Sequence, residues 1–176
     1  MNNGLRIIAD FPKKGIAFID INGLLENPVC FTEAIDKFCR MITDTLDEQT
    51  LKTAAIVSPQ SRGFLFASPL AYKLGLPLLT IRKKGKIPNN PYRFHITNEY
   101  DSYDMEMDGD LLGKYEHYIY IDDILATGQT LASVSRALKA KDKRIVLALH
   151  LTDVKDLKNL REQNKDLKDI VLKEVL

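Results

Sequence analysis

The chain has 176 residues and lacks several features that would point to particular classes of protein. Lys and Arg outnumber Asp and Glu by only 25 to 24, which leaves a net charge of +1. Proteins that bind nucleic acid or membrane surfaces usually carry a basic excess, so this balance disfavours both functions. No apolar run approaches the roughly 18 residues that a membrane span needs. We therefore expect neither a nucleic-acid nor a membrane partner.

Cysteine is also scarce. Cys30 and Cys39 fall in one predicted helix, more than two turns apart, which is too far for a disulfide. The N-terminal segment MNNGLRIIADFP has no long apolar stretch of the kind found in signal peptides. Two reduced thiols and no such segment predict a cytoplasmic protein.

Histidine does not indicate a metal centre. His95, His117 and His150 are scattered along the chain without the spacing of metal ligands. We therefore expect no metal bound directly by the protein alone.

Apolar residues, which make up 45% of the chain, alternate between strand-like runs and helical periods. Helices are predicted at 28–46, 64–74 and 130–140. Strands are predicted at 53–57, 77–81, 118–121 and 145–149, with a last strand in 170–176. This alternation indicates an α/β fold with a mainly parallel sheet flanked by helices, in one domain spanning 1–176.

Two segments fit the alternation poorly. Residues 89–115 are polar and interrupted by Pro91, Gly109 and Gly113, which predicts a flexible flap that could hold a strand pair. Residues 153–168 are densely charged, with Val154, Leu157 and Leu160 three apart. This pattern predicts a solvated helix with one apolar stripe.

The stretch HYIYIDDILATGQT at 117–130 carries the main chemical signal. Asp122 and Asp123 follow a predicted strand, and a small-residue loop then opens a helix. Ligands of open α/β sheets bind beyond the carboxyl ends of strands, and helix N-termini favour phosphate. Two acids would repel that phosphate, so they should bind hydroxyls of an attached sugar or a hydrated Mg²⁺ that bridges phosphates. The alternative is that the acids merely cap the helix. The loop residues are Ala126, Thr127, Gly128, Gln129 and Thr130.

IYIDDILATGQT resembles the ribose-phosphate signature of the type I phosphoribosyltransferases. Three further stretches narrow the resemblance to the adenine phosphoribosyltransferases. They are the N-terminal pattern from Phe11-Pro12 to Leu24-Leu25, SRGFLF at 61–66 and IRKKGKIP at 81–88. Order and spacing agree across roughly 6–152. The resemblance implies a type I phosphoribosyltransferase-like fold with a small N-terminal hood.

The resemblance also implies a role for each matching residue. Asp122 and Asp123 would bind the ribose hydroxyls of phosphoribosyl pyrophosphate, and the 126–130 loop its 5′-phosphate. Arg62 would grip the pyrophosphate, for which a planar guanidinium is well suited. Arg82 would reach the pyrophosphate too, in this family often from the neighbouring subunit. Further substrate-binding residues would be Ser61 and Lys83.

The same resemblance places the base. Phe18 would stack on the purine with Leu151 on the opposite face, and the backbone of Ala17, Phe18 and Ile19 would read the adenine edge. Glu99 and Tyr100 match a Glu-Tyr pair of the family's flexible loop. Glu99 would help to protonate or position the base, which makes Glu99, Arg62 and Arg82 the catalytic candidates.

Several positions depart from the family's pattern, among them Ser58 and Asp101-Ser102, and three of them bear on the site. Gln60 stands where an acid usually precedes Ser61, Ile19 where a basic residue is common, and His150 where an acid is common. Ile19 and His150 lie near the expected base pocket and therefore bear on base identity. Gln60 belongs to the pyrophosphate loop and bears on Mg²⁺ dependence.

The implied reaction is purine salvage, in which adenine and phosphoribosyl pyrophosphate give AMP and pyrophosphate with Mg²⁺ as cofactor. A homodimer is typical of the family. Two alternatives stay open: the same transfer to hypoxanthine, guanine or xanthine, and a non-catalytic regulator that binds phosphoribosyl pyrophosphate or AMP.

Overall fold

The computed structural model describes residues 4–97 and 102–176 and contains two sheets. The small sheet pairs β1 (Arg6–Ile8) antiparallel with β2 (Phe18–Asp20). The main sheet has the order β5-β6-β4-β3-β7-β8-β9. Its strands are β3 (Ala54–Pro59), β4 (Leu78–Lys83), β5 (Pro91–Thr97), β6 (Ser102–Asp108), β7 (His117–Leu125), β8 (Arg144–Asp153) and β9 (Val171–Glu174).

Helices surround these strands. They are α1 (Asn22–Glu26), α2 (Pro28–Thr45), α3 (Glu48–Lys52), α4 (Phe64–Leu74), α5 (Gly109–Lys114), α6 (Gln129–Lys139) and α7 (Lys158–Gln163), with 3-10 turns at Lys155–Leu157 and Lys165–Leu167. Within residues 4–97 and 102–176, no helix combines the length and apolar character needed to cross a bilayer.

Strands β4, β3, β7, β8 and β9 run parallel, whereas the β5–β6 hairpin joins the β4 edge antiparallel. The predicted mainly parallel α/β fold is therefore confirmed. The strand pair anticipated within 89–115 is confirmed as well, while the flexibility of that segment stays a prediction.

Strand β7 lies at the centre of the core, because both of its faces are covered. Tyr118 and Tyr120 face the cluster that includes residues of α6, and Ile119 and Ile121 face the cluster of α2 and α4. A strand buried on both faces reads as a continuous apolar run rather than an alternating one. The run YIYI at 118–121 is such a sequence.

Helix α2 shows how local signals set its boundaries. The Asn27 side chain accepts hydrogen bonds from the backbone N–H groups of Val29 (3.0 Å) and Cys30 (3.3 Å), with Pro28 in the first helical position. Within residues 4–97 and 102–176, neither cysteine of this helix forms a disulfide.

The prediction for residues 153–168 is confirmed only for the short solvated helix α7 and is wrong about the apolar stripe. The segment consists of the two 3-10 turns and α7, and Leu160 is exposed rather than part of an apolar stripe. Arg161 is buried in its place, with 5% of its surface exposed. A charged residue occupies the inner face because it finds acceptors there, which a hydrophobic pattern cannot indicate.

Candidate active site

The loops that follow β3 and β7 meet at one edge of the sheet, because the two strands are parallel neighbours. A Cβ atom added to Gly63 would lie 2.8 Å from Asp122 Oδ1 and 2.9 Å from the Asp122 Cα. Only glycine permits this approach of the 60–63 loop to β7. The predicted pyrophosphate loop and the predicted ribose acids are thus adjacent.

Asp122 accepts three hydrogen bonds. Ser61 Oγ donates to Oδ1 at 2.8 Å, Tyr120 OH to Oδ2 at 2.8 Å, and the Asp123 backbone N–H to Oδ1 at 3.0 Å. Burial and the neighbouring charge of Asp123 raise the pKa of Asp122 to about 7, although these hydrogen bonds oppose the shift.

Asp122 and Asp123 belong to β7 itself, which extends four residues beyond the predicted strand end. Consecutive strand residues point to opposite faces, so the two carboxylates diverge. Tyr120 shares a face with Asp122 for the same reason. Tyr120 was not predicted as a site residue, and its position two residues before the acid was the available signal.

Asp123 forms an ion pair with Arg62, whose Nε lies 2.5 Å from Oδ2. Arg62 Nη1 donates to the backbone carbonyl of Ile19 at 3.1 Å, and its guanidinium carbon lies 5.1 Å from the centre of the Phe18 ring. Arg62 therefore links Asp123 on β7 to Phe18 and Ile19 on β2, in the small N-terminal sheet that forms the predicted hood. In this structure the guanidinium contacts protein groups at the position where a pyrophosphate was expected to bind.

The expected base pocket is partly assembled. Phe18 packs edge-on against Phe11, with ring centres 5.1 Å apart and planes at 71°. Ala17 is exposed, and Phe18 and Ile19 are half-buried. Leu151 is fully buried in the cluster that includes residues of α1, α2 and α4.

In the 126–130 loop, the position that requires glycine is 128 and not 129. Gly128, with φ at +80°, is the residue in the left-handed conformation, and α6 begins at Gln129. Gln129 is exposed, and its backbone N–H lies 3.4 Å from Thr127 Oγ1. The predicted helix start at residue 130 was therefore one residue late, and position 129 has no need of glycine.

Gln60 connects the pyrophosphate loop to β4. Its Oε1 accepts from Arg82 Nε at 3.1 Å and from the Lys83 backbone N–H at 3.2 Å. Lys83 also places its ammonium 5.9 Å from the centre of the Tyr103 ring. Arg82 thus has a partner within its own chain. Of the predicted site residues, Glu99 and Tyr100 lie outside the described residues.

His150 lies away from the expected base pocket. It is buried on the opposite face of β8 from Leu151 and lines a cavity of about 360 Å³ together with Leu125, Arg161 and Leu172. Burial lowers the pKa of His150 to about 4. Histidine in place of the family's usual acid at position 150 therefore affects the cavity beside Arg161 and not the surroundings of Phe18.

The family model of the phosphoribosyl transferase domain matches residues 31–174. The chain belongs to this family. It is 39% identical to the adenine phosphoribosyltransferase of Treponema denticola over 142 residues, which are 81% of this chain and 72% of that protein.

Solved structures agree with this family assignment. The adenine phosphoribosyltransferase of Thermoanaerobacter pseudethanolicus superposes with a TM-score of 0.81 at 30% identity, covering 98% of this chain and 94% of that one. The Saccharomyces cerevisiae enzyme, solved with adenine and an imino-altritol bisphosphate, gives 0.80 at 26% identity with the same coverage. The type I phosphoribosyltransferase fold expected from the sequence is thereby confirmed.

Asp122 and Asp123 are two carboxylates near the site that could bind Mg²⁺. Asp122 is bonded to two hydroxyls and Asp123 to a guanidinium, and no group of three metal-ligating side chains occurs within 4–97 and 102–176. Mg²⁺ usually keeps several waters and binds through one or two carboxylates plus substrate phosphates. The two acids fit a Mg²⁺ carried by a phosphorylated substrate, and they do not form a complete cage.

Proposed function

We propose that residues 1–176 form a single adenine phosphoribosyltransferase domain, which converts adenine and phosphoribosyl pyrophosphate to AMP and pyrophosphate. The observation that carries this proposal is the Asp122-Asp123 pair on β7, placed directly before a glycine-turned loop and the N-terminus of α6. Proteins similar to this chain over most of its length and fold are adenine phosphoribosyltransferases, which supports the proposal.

Each group near that edge takes one part of the substrate. Asp122 and Asp123 accept hydrogen bonds from the ribose hydroxyls, and the 126–130 loop receives the 5′-phosphate at the positive end of α6. Ser61, Arg62, Arg82 and Lys83 serve the pyrophosphate. The Arg62–Asp123 ion pair must loosen or share its guanidinium when pyrophosphate arrives, so this contact sets part of the binding cost.

The base enters beneath the hood. Phe18 stacks on the purine, the backbone of Ala17, Phe18 and Ile19 reads its edge, and Tyr100 is a further substrate-binding residue. Leu151, which is fully buried in this structure, reaches the other face of the purine only after the surrounding side chains shift. Because Arg62 already spans Phe18 and Asp123, a base on Phe18 lies close to the ribose acids. This proximity is the positioning that the transfer requires.

In the reaction, the bond from sugar C1 to a pyrophosphate oxygen breaks and a bond from C1 to a purine nitrogen forms. The attacking nitrogen loses its proton to a general base, a role assigned here to Glu99, which also positions the purine. Breaking of the first bond runs ahead of attack, so positive charge develops on the sugar, while Arg62 and Arg82 neutralise the leaving pyrophosphate. Bound Mg²⁺ would supply further charge neutralisation on the phosphates. Closure of the 89–115 flap would exclude water from the reactive sugar.

A homodimer and a cytoplasmic location complete the proposal. The lack of a disulfide at Cys30 and Cys39, among the residues that the structure describes, supports a reducing compartment. Dimerisation would let a second copy place its Arg82 toward the pyrophosphate, in exchange for the Gln60 contact. Sedimentation of the purified chain measures the assembly, and a monomer at working concentration would count against it.

The test is turnover of adenine, hypoxanthine, guanine and xanthine with phosphoribosyl pyrophosphate and Mg²⁺. We expect AMP and pyrophosphate from adenine, with the other bases about tenfold poorer, because one buried polar mismatch costs about 1–3 kcal/mol and about 1.4 kcal/mol is tenfold. Preference for another base would mean that the pocket around Ile19 recognises that base and not adenine. Tight binding of phosphoribosyl pyrophosphate or AMP without turnover of any base would make the protein a regulator.

A further inference from the structure

Arg161 is a buried arginine to which no motif of the sequence assigns a role. It lies in α7, behind the 126–130 loop, and only 5% of its side chain is exposed. Arginine is almost never fully buried unless it is paired, so the contacts of this side chain identify its task.

The guanidinium binds the backbone just where β7 ends. Nη1 donates to the carbonyl oxygens of Ala126 at 2.7 Å, Val154 at 2.9 Å and Leu125 at 3.4 Å. Nη2 donates to Asp153 Oδ2 at 2.8 Å. The planar fork therefore joins the loop, the end of β8 and a carboxylate that balances its charge.

These contacts fix the direction of the loop's peptide groups. In a trans peptide the carbonyl and the following N–H point in opposite directions. Because the carbonyls of Leu125 and Ala126 face Arg161, the N–H groups of Ala126 and Thr127 point to the opposite side. Backbone N–H groups on that side are the donors that the proposed 5′-phosphate requires.

The same segment also packs against the turn itself. A Cβ atom at Gly128 would lie 2.8 Å from Leu167 Cδ1 and 3.5 Å from Arg161 Cγ. Leu167 and the aliphatic part of Arg161 thus pack behind the left-handed glycine, while the Arg161 guanidinium binds the carbonyls of Leu125 and Ala126 that precede it. The charged C-terminal segment is part of the loop's support.

We propose that Arg161, oriented by Asp153, is a positioning residue that holds the 126–130 loop in its phosphate-binding conformation. The inference rests on the proposed function, since that assigns the 5′-phosphate to this loop. Asp153 and Glu174 together balance the charges of Arg161 and Lys155, so the effect of Arg161 on phosphate is geometric. Lysine would keep the charge but could not reach three carbonyls and a carboxylate at once.

The test compares Arg161→Lys with wild type by calorimetric titration of ribose 5-phosphate and by steady-state kinetics. We expect Arg161→Lys to weaken ribose 5-phosphate binding by about tenfold, since hydrogen bonds from a charged donor are lost. The KM for phosphoribosyl pyrophosphate should rise by a similar factor, with the KM for adenine and kcat within about twofold.

Ser135→Ala is the matched control. Ser135 is buried and donates from α6 to the Asp166 carbonyl at 3.1 Å, so this variant also loosens the C-terminal segment but spares the loop carbonyls. It should lower the unfolding midpoint and leave the ribose 5-phosphate affinity unchanged. Equal weakening in both variants would reduce Arg161 to a general stabiliser and overturn the inference.

The remaining outcomes separate the two proposals. Wild-type chain that turns over adenine while Arg161→Lys binds ribose 5-phosphate normally overturns only the role of Arg161. Wild-type chain that binds no ribose 5-phosphate overturns the assignment of the loop and the inference together. If Arg161→Lys does not fold, Asp153→Asn decides instead: about threefold weaker binding supports the inference, because Nη2 would lose its charged partner, and unchanged binding contradicts it.

Discussion

Asp122 has a carboxyl group whose charge changes near neutral pH, and it lies at the point where sugar hydroxyls are proposed to bind. Its raised pKa of about 7 comes first from burial and then from the charge of Asp123. Only the ionised form accepts at both oxygens, which are already bonded to Ser61 and Tyr120. Ligand binding at this residue should therefore depend on pH in a range where ordinary aspartates do not titrate.

Asp122→Asn tests this dependence. In the wild type, kcat/KM for phosphoribosyl pyrophosphate should fall as the pH drops below about 7, approaching tenfold per unit for one essential proton. The variant should be less active at neutral pH but should lack this added fall, because an amide does not titrate. Asp110→Asn, at an exposed and remote position, should follow the wild-type profile. Identical profiles for wild type and Asp122→Asn would mean that another group titrates.

At the scale of single elements, the turn from β7 to α6 separates the two neighbours Gly128 and Gln129. Gly128 has a positive φ and close neighbours behind it, whereas Gln129 is an exposed first residue of α6. Within this motif, position 128 requires the backbone freedom of glycine, whereas position 129 should tolerate other side chains.

Substitution of Gln129 should therefore have a small effect on activity, and substitution of Gly128 a large one. Gln129→Gly should leave the KM for phosphoribosyl pyrophosphate within about threefold, because glycine at an exposed helical position costs about 1 kcal/mol or less. Gly128→Ala should destabilise the chain by about 1–2 kcal/mol through the left-handed conformation alone and raise that KM. Asp123→Ala and Thr130→Ala should raise it as well. Loss of activity in Gln129→Gly would show that the side chain at 129 binds substrate.

Glu106 fastens a second element, the basic loop after β4. Its buried carboxylate accepts from the backbone N–H groups of Ile87 at 2.7 Å and Lys86 at 2.6 Å, and Arg93 lies 3.4 Å away. The hydrogen bond from Ile87 is the largest of the contributions that lower the pKa of Glu106, and the one from Lys86 acts in the same direction. The loop that carries Lys84 and Lys86 is therefore anchored by one acid on β6.

Glu106→Gln should lower the unfolding midpoint at neutral pH, because the charge-assisted bonds are lost. A lowered folded-state pKa stabilises the protein above the unfolded pKa and ceases to do so as the pH falls. The gap between wild type and variant should therefore narrow below about pH 4.5, the group's ordinary pKa. Thermal melts at several pH values measure this gap, and a gap that stays constant down to pH 3 would contradict the assigned role.

At the scale of the whole molecule, Asp122 and His150 act in opposite directions on stability. They are register partners on β7 and β8. The raised pKa of Asp122 makes the folded state bind more protons between about pH 4 and 7, so stability falls as the pH rises there. The lowered pKa of His150 makes the unfolded state bind more protons between about 4 and 6.5, so stability rises with pH. The wild-type profile should therefore be shallow.

Replacing either Asp122 or His150 should reveal the pH dependence of stability that the other residue causes. Relative to wild type, His150→Asn should lose stability with rising pH at up to about 1.4 kcal/mol per unit between pH 4 and 6.5. Asp122→Asn should gain stability with rising pH over the range up to about 7. Urea unfolding at half-unit pH steps measures both differences. Parallel profiles for all three chains would show that neither group titrates as described.

Much of the fold could be predicted from the sequence, because its signals are local. The run at 118–121, the capped start of α2 and Gly75 after α4 each need only neighbouring residues. The family resemblance, carried by four short stretches, was confirmed by the similarity to known phosphoribosyltransferases. The fold places the motif residues at one edge of the sheet, while the role of each toward substrate remains part of the proposal.

Local signals in the chain are enough to predict the alternation of strands and helices, the acidic pair and the turn at 126–130. Tertiary structure decided how these parts are held: the Arg62 bridge between Asp123 and Ile19, the hairpin on the sheet edge and the burial of Arg161 behind the loop. Arg161 meets the Ala126 carbonyl across 35 residues of chain. Local periodicity carries no information about such an acceptor, so a buried arginine in a charged segment reads like its solvated neighbours until the fold brings the two together.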